Sequence, residues 1–196
     1  MKQVPKLAII IPARNEALTI GRVLQKLKEF NLPVEKEIIV VDDGSSDETA
    51  AIAKSNGAVV VRHLINRGLG AALGTGIQAA LRGGADLMIT FDADGQHAAE
   101  DIPKVIQPLL EDKADVVIGS RMREKKGMPF IRRIANHLAN LTTWVLFSVK
   151  TTDSQSGLRA FSRAAAGKIR VTANNYEVSS EIFREIRDHS LRLVEI

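Results

Sequence analysis

The chain has 196 residues, 45% of them hydrophobic and 26% charged, with a net charge of +4. That fits one substantial soluble domain able to bury a core. The absence of cysteine excludes disulfides and thiolate metal sites, and no apolar run approaches the ~18 residues of a membrane span.

The first apolar run, "KLAIIIP" (6–12), is short, rich in β-branched residues and ended by proline. It reads as a buried strand and not as a signal peptide. Ile20, Val23, Leu24 and Leu27 then recur at helical spacing, with Pro33 as the stop. "EIIVVDDGSS" (37–46) predicts a second strand running into a turn. Ser45 and Glu48 have the spacing of a capping box for the helix that follows, and Asn56-Gly57 ends that helix. "AVVVRH" (58–63) is a third strand. A glycine-rich loop follows it, then a helix carrying Leu69, Leu73, Ile77 and Leu81. "DLMITFDADGQ" gives the fourth strand and its loop, "EDIPKVIQPLLED" a helix, and "ADVVIGSR" the fifth strand. Strand–helix alternation over about 120 residues predicts a mainly parallel sheet with helices on both faces.

After residue 121 the pattern changes. Residues 121–133, "RMREKKGMPFIRR", read as a basic loop, and 134–149 as an amphipathic to apolar helix ending "WVLFSV". "TTDSQSGLRAFS" (151–162) predicts a polar loop and a short strand, "NYEVSSEIFREIRDH" a helix, and "LRLVEI" a last strand.

Ligands of open parallel sheets bind beyond the carboxyl ends of the strands, where the strand order reverses. A strand order beginning 3-2-1-4 brings "PARNE" (12–16), "VDDGSSD" (41–47) and "DADGQ" (92–96) together there. The pooled acids are Glu16, Asp42, Asp43, Asp47, Asp92 and Asp94. So many carboxylates repel unless a cation or hydrogen-bond donors compensate them. A lone aspartate at a strand end is usually a turn-former or cap, and Asp47 reads that way. For the set, hard oxygen ligands point to magnesium or manganese, which keep positions open for substrate phosphates. Extended-chain alternation places Asp92, Asp94 and then Gln96 on one side.

Rival patterns fail on spacing. The twelfth position of an EF-hand loop counted from Asp92 is Pro103, not glutamate. "GLGAALG" (68–74) has Leu73 where the dinucleotide fingerprint needs glycine, and there is no Walker lysine motif.

Six segments, "IIIPARNE", "EIIVVDDGSSDET", "NRGLGAAL", "FDADGQH", "VVIGSR" and "DSQSGLRAF", together resemble glycosyltransferase family 2 in the family's own order. Within that family they are most similar to the polyprenyl-phosphate (dolichyl or undecaprenyl) mannosyl- and glucosyltransferases. The resemblance covers nearly the whole chain. It implies an α/β GT-A fold in a single domain, with residues 1–120 as the nucleotide-binding half and 121–196 as the acceptor side. It implies an inverting hexosyl transfer from a GDP- or UDP-sugar to a polyprenyl phosphate, with Mg2+ or Mn2+ as cofactor, peripheral to the cytoplasmic membrane face. Alternatives are a nucleotide-sugar-binding module without turnover and a relative with a hydroxyl acceptor.

By the same resemblance, Pro12, Arg14, Glu16, Val41 and Asp43 hold the nucleoside. Asp92, Ala93 and Asp94 form the Asp-x-Asp element, with Asp92, Asp94 and Gln96 as metal ligands. Arg121 approaches the donor, and Arg132 and Asn136 hold the acceptor phosphate. Asp92, Asp94 and Arg121 are thereby the catalytic set, while Ser156 and Arg159 fall in the "SG-x-RAF" loop. Glu181 sits on a polar helix face and reads as a surface residue, and His97 as an ordinary loop histidine. Relatives continue past a strand like "LRLVEI" into a cationic segment over the diphosphate, so the acceptor half is expected to be truncated.

Overall fold

The structure, a computed structural model, describes residues 4–94, 98–120, 151, 153, 156–175 and 177–196. The expectations for Gln96, His97, Arg121, Arg132, Asn136, the basic loop and the 134–149 helix lie outside the described residues.

Strand β1 (Lys6–Ala13) carries the design of the molecule. Leu7, Ile9, Ile11 and Ala13 pack into one apolar cluster, and Ala8 and Ile10 into another on the opposite side. Successive residues of a strand face opposite ways, so an unbroken apolar run can be stable only when covered on both faces. Each fully buried Leu or Ile contributes about 1.5–3 kcal/mol as an upper figure. β2 (Glu35–Asp42) repeats the arrangement, with Ile38 and Val40 on one side and Ile39 and Val41 on the other.

The sheet order is β3-β2-β1-β4-β6-β5-β7, so its first four strands stand as expected. β3 is Val59–Arg62, β4 Leu87–Thr90, β5 Val116–Ile118, β6 Arg159–Ser162 and β7 Leu193–Glu195. Pairing is parallel except at β6, which runs antiparallel to both β4 and β5. Helices α1 (Ile20–Glu29), α2 (Thr49–Ser55) and α4 (Ile102–Leu110) cover one face. Helices α3 (Leu69–Arg82), α5 (Arg163–Lys168) and α6 (Val178–Asp188) cover the other.

Four local details differ from the sequence expectations. α1 stops at Glu29, before Pro33, and the Lys36 ammonium takes the carbonyls of Leu27, Lys28 and Phe30. A cation there satisfies orphan acceptors and suits the negative end of the helix. The Ser45–Glu48 capping box does not form. Asp47 accepts from the Thr49 amide at 3.0 Å instead, while Ser45 Oγ accepts from the Asn15 amide. Asp47 is thus a turn-former at the entry to α2, one of the two roles expected of it, and the N-cap position itself is Glu48. Helix α5 had no counterpart in the sequence reading, and it is capped by Ser162, whose Oγ accepts from Ala165. Glu181 is buried, not on the surface.

Helix α3 crosses β1 closely. A Cβ built on Gly76 would stand 2.2 Å from Ile10 Cγ2, and Ile10 is a fully buried, β-branched residue with nowhere to move. An alanine in an open helix gains about 1 kcal/mol over glycine, but overpacking costs about 1–3 kcal/mol. Gly76→Ala is therefore expected to lower the urea midpoint without changing the slope of the transition; a raised midpoint would contradict this packing.

Candidate functional site

Three loops leave the carboxyl edge beside β1 and are tied to one another. Asn15 takes a left-handed backbone (φ 55), which aims its side chain and amide at the loop after β2. Its amide donates to Ser45 Oγ at 2.9 Å and its Oδ1 accepts from the Ser46 amide at 2.9 Å. The Glu16 amide donates to Thr49 Oγ1 and the Ala17 amide to Asp47. Asparagine suits this position because it tolerates the left-handed region and bonds locally.

At the end of β2, Asp42 and Asp43 are both buried. Asp42 pairs with Arg62 Nε at 3.0 Å and accepts from the Ser45 amide. Asp43 accepts from His63 Nδ1 at 2.6 Å, from the Arg67 amide at 2.9 Å and from the Gly68 amide at 2.7 Å. The other His63 nitrogen meets Thr75 Oγ1 on α3 at 2.9 Å. Asp43 therefore links β2, β3 and the start of α3. Burial pushes its carboxyl up, but the His63 bond, the two amides and the His63 charge outweigh burial and hold it below the usual range.

The start of α3 is filled by protein. The Gly70 amide donates to the Asn174 carbonyl at 2.8 Å, and a Cβ on Gly68 (φ 93) would lie 2.2 Å from that oxygen. Segment 170–174 is held in turn by two buried glutamates of α6. Glu181 accepts from the Thr172 and Ala173 amides and the Thr172 hydroxyl, and Glu185 from the Arg170 amide. Burial raises the Glu181 carboxyl, but the Thr172 side chain, both amides and Arg184 leave it below its ordinary value.

The Asp-x-Asp element begins where β4 ends. Phe91 and Ala93 face the α1 side and are buried there, while Thr90 and Asp92 line a cavity on the α3/α6 side. Extension stops at Ala93, where the chain turns. Asp94 is consequently exposed and lines a different groove, with Thr19, Arg22 and Phe91. The expected alternation therefore fails at this pair. Among the described residues no group of three or more His, Cys, Asp or Glu stands ready to hold a metal.

Asp92 has a counter-charge that nothing in its neighbouring sequence discloses. The cavity it lines, about 150 Å³, also contains Pro12, Thr90, Gly157, Arg159 and Ser179. Arg159 is 4% exposed, donates to Ser179 Oγ at 2.9 Å and lies 6.0 Å from the centre of the Phe183 ring. Burial lowers its pKa to about 10, and the charges of Asp153 and Asp92 oppose that fall, so it stays cationic at neutral pH. Gly157 lies against the Asp92 carboxylate, since a Cβ there would sit 2.3 Å from Asp92 Oδ2. Thr90 Oγ1 fixes this contact by donating to the Gly157 carbonyl at 2.6 Å and accepting from the Arg159 amide.

Of the other expected site residues, Pro12 is half-buried in that cavity and Arg14 is exposed. Glu16 takes the Thr19 hydroxyl. Val41 has no exposed surface and is paired in the sheet with Pro12 and Val61, so its side chain belongs to the core. Ala93 is likewise buried. Ser156 is buried and donates to the Gly119 carbonyl, bracing the loop that carries Gly157. The sequence reading missed His63, Thr90, Asp153, Gly157 and Ser179, and left Arg159 without a role. For His63, Thr90 and Gly157 the advance signal was a position at or near a strand end; Ser179, in helix α6, and Asp153 had none.

Solved structures share this architecture. A glucosyl-3-phosphoglycerate synthase from Mycobacterium tuberculosis, crystallised with Mn2+, UDP and phosphoglyceric acid, superposes with a TM-score of 0.78 at 22% identity, over 97% of this chain and 68% of that one. The fold is the GT-A arrangement. Residues 8–170 match Glycosyl transferase family 2, and the chain belongs to that family. It is 48% identical to an uncharacterized protein of Methanocaldococcus jannaschii, covering 96% of this chain and 78% of the relative. It is 38% identical to the UDP-N-acetylglucosamine–dolichyl-phosphate N-acetylglucosaminyltransferase of Methanococcus voltae, over 96% and 82% of the two chains. It is 33% identical to the polyprenol monophosphomannose synthase of Mycolicibacterium smegmatis, over 84% and 64%.

Two outcomes check this electrostatic layout. Arg159→Met leaves buried acids uncompensated and is expected to cost about 3–5 kcal/mol in urea unfolding, with Arg159→Lys intermediate. Asp43→Asn tests the lowered carboxyl. A depressed folded pKa contributes stability that is complete above the unfolded value near 3.8 and is lost as pH falls through the folded one. Wild-type stability should therefore decline from about pH 5 downwards, and the Asn variant, already less stable at neutral pH, should decline less steeply.

Proposed function

We propose that the chain transfers a hexose from a nucleoside-diphosphate sugar to a polyprenyl phosphate with inversion at the anomeric carbon. One observation carries the reading: in a family 2 chain, both carboxylates of the Asp-x-Asp element leave β4 at the switch point, Asp94 exposed in one groove and Asp92 lining the cavity that holds the buried cation Arg159. The named relatives that act on dolichyl phosphate and make polyprenol phosphomannose support the acceptor. The Methanococcus relative's UDP-N-acetylglucosamine makes a uridine donor, and N-acetylglucosamine first among sugars, the one to test before GDP-mannose.

The donor set fits a magnesium or manganese ion. Both carboxylates are hard oxygen donors, and an incomplete protein cage is what such ions use when substrate phosphates complete the shell. Asp94 would be the direct ligand, with Gln96, and Asp92 would act through its charge from the other side of the turn. When bound, the ion would offset the charge that grows on the leaving diphosphate. The chain's own residues do the rest. Arg159 offsets the charge of Asp92 from beneath. Pro12, Arg14, Glu16 and Asp43 border the nucleoside side, and Arg121 supplies a cation to the donor. Arg132 and Asn136 hold the acceptor.

A lipid monophosphate is already largely ionised near neutral pH. Its oxygen forms the bond to the anomeric carbon as the bond to the nucleoside diphosphate breaks, and no protein base is required.

The test is incubation of UDP-N-acetylglucosamine and GDP-mannose with polyprenyl phosphate and Mn2+. Asp94→Ala is expected to abolish metal-dependent nucleotide binding and to lower transfer at least about 100-fold. Transfer that survives this substitution overturns the mechanism. Tight metal-dependent binding with no transfer leaves the nucleotide-sugar-binding module as the correct reading.

A further inference from the structure

The most exposed large apolar side chains of the described surface are Leu64, Leu18 and Ile65, at 100%, 90% and 72%. All three lie in loops that leave the carboxyl ends of parallel strands, Leu18 after β1 and the other two after β3. Val4, Val59 and Leu110, the remaining exposed ones, sit at the opposite edge, before β1, at the start of β3 and at the end of α4. Single exposed apolar residues are ordinary. An adjacent pair at nearly full exposure, on the edge that carries Asp92 and Asp94, asks for an occupant.

The loop itself is "RHLINRG" (62–68), with an arginine on each side of the pair and no acid. It is held from both ends. His63 is buried against Asp43, and the Arg67 and Gly68 amides donate to the same carboxylate. Its middle rests on Gly44, where a Cβ would stand 2.6 Å from the Ile65 carbonyl carbon and the Asn66 amide nitrogen. Leu64 and Ile65 therefore cannot fold back on the protein without breaking the Asp43 bonds. Arg62 is paired with Asp42, so Arg67 is the cation the tip offers, and an apolar tip beside a cation matches a bilayer interface, where apolar side chains enter the acyl boundary and an arginine meets lipid phosphate.

We infer that Leu64 and Ile65 insert into the headgroup region of an anionic membrane and hold the carboxyl edge of the sheet against it. The choice of a bilayer over a protein partner rests on the proposed polyprenyl-phosphate acceptor. Docked this way, the loop turns the carboxyl end of β4, with Asp92 and Asp94, toward the surface in which such a lipid resides.

The experiment is co-sedimentation of the full chain with vesicles of phosphatidylcholine mixed with phosphatidylglycerol, and with phosphatidylcholine alone. The double variant Leu64→Ser/Ile65→Ser should lose about ten-fold in affinity for the mixed vesicles. Both sites are solvent-exposed, so its thermal midpoint and its Mn2+-dependent binding of UDP-N-acetylglucosamine in solution should match wild type. Arg67→Gln should weaken only the anionic-vesicle binding and flatten its salt dependence. The inference is overturned by a wild type that ignores both vesicles, or by a double variant that sediments as wild type does. It is equally overturned if the double variant loses self-association while its vesicle binding is unchanged, which would assign the tip to a second copy of the chain. Vesicle binding that depends on the tip, in a protein that binds no nucleotide sugar, leaves this inference standing while the proposed transfer fails.

Discussion

Strand β1 is apolar on both faces, and that constraint organises everything else. Such a strand cannot carry chemistry along its length, because any polar side chain there would be buried without water. Polar groups are deferred to its carboxyl end, where Pro12 to Glu16 emerge between the loops of β2 and β4. The neighbours are bound by the same rule. β2 runs apolar to Val41 and then delivers Asp42 and Asp43, and β4 runs apolar to Ile89 and then delivers Thr90 and Asp92.

Concentrating acids at one edge creates repulsion, and the chain relieves it group by group. Asp42 is given Arg62, Asp43 receives His63 and two amides, and Asp47 is used as a turn-former at the entry to α2. Asp92 faces buried Arg159. These are protein-supplied compensations, so the folded edge does not need a bound cation to exist. Asp43 also couples stability to shape, since the amides it holds set the course of the loop that displays Leu64 and Ile65.

Much of this was legible in the sequence. Short apolar runs bounded by turn residues marked the strands of the described residues, helical spacing marked α1 and α3, and a stop signal marked α2, while the supposed order beginning 3-2-1-4 is the one found. Six segments in the family's order, "FDADGQH" among them, carried the resemblance to the family. The rest depended on contacts between residues far apart in the chain. Arg159 lies 67 positions beyond Asp92 in a short antiparallel strand, and no local pattern joins them. Glu181 looked superficial because its helix is polar. The amides that bury it come from segment 170–174, whose course no periodicity predicts. Alternation misplaced Asp94 because one turn at Ala93 ends the strand geometry on which that expectation relied.

The turn also separates two tasks that a straight strand would have merged. With both carboxylates on one side, each would raise the other's pKa, and a cation would have to neutralise the pair before either could act. Here Asp92 is directed inward, where it meets the charge of Arg159 and Gly157 leaves it room. Asp94 is directed outward, with its carboxylate in a groove open to solvent. One acid is held beside a buried cation; the other stands exposed at the turn. Gly157 is the hinge of that division, because only a residue without a Cβ lets the loop of β6 lie against Asp92 and bring Arg159 beneath it.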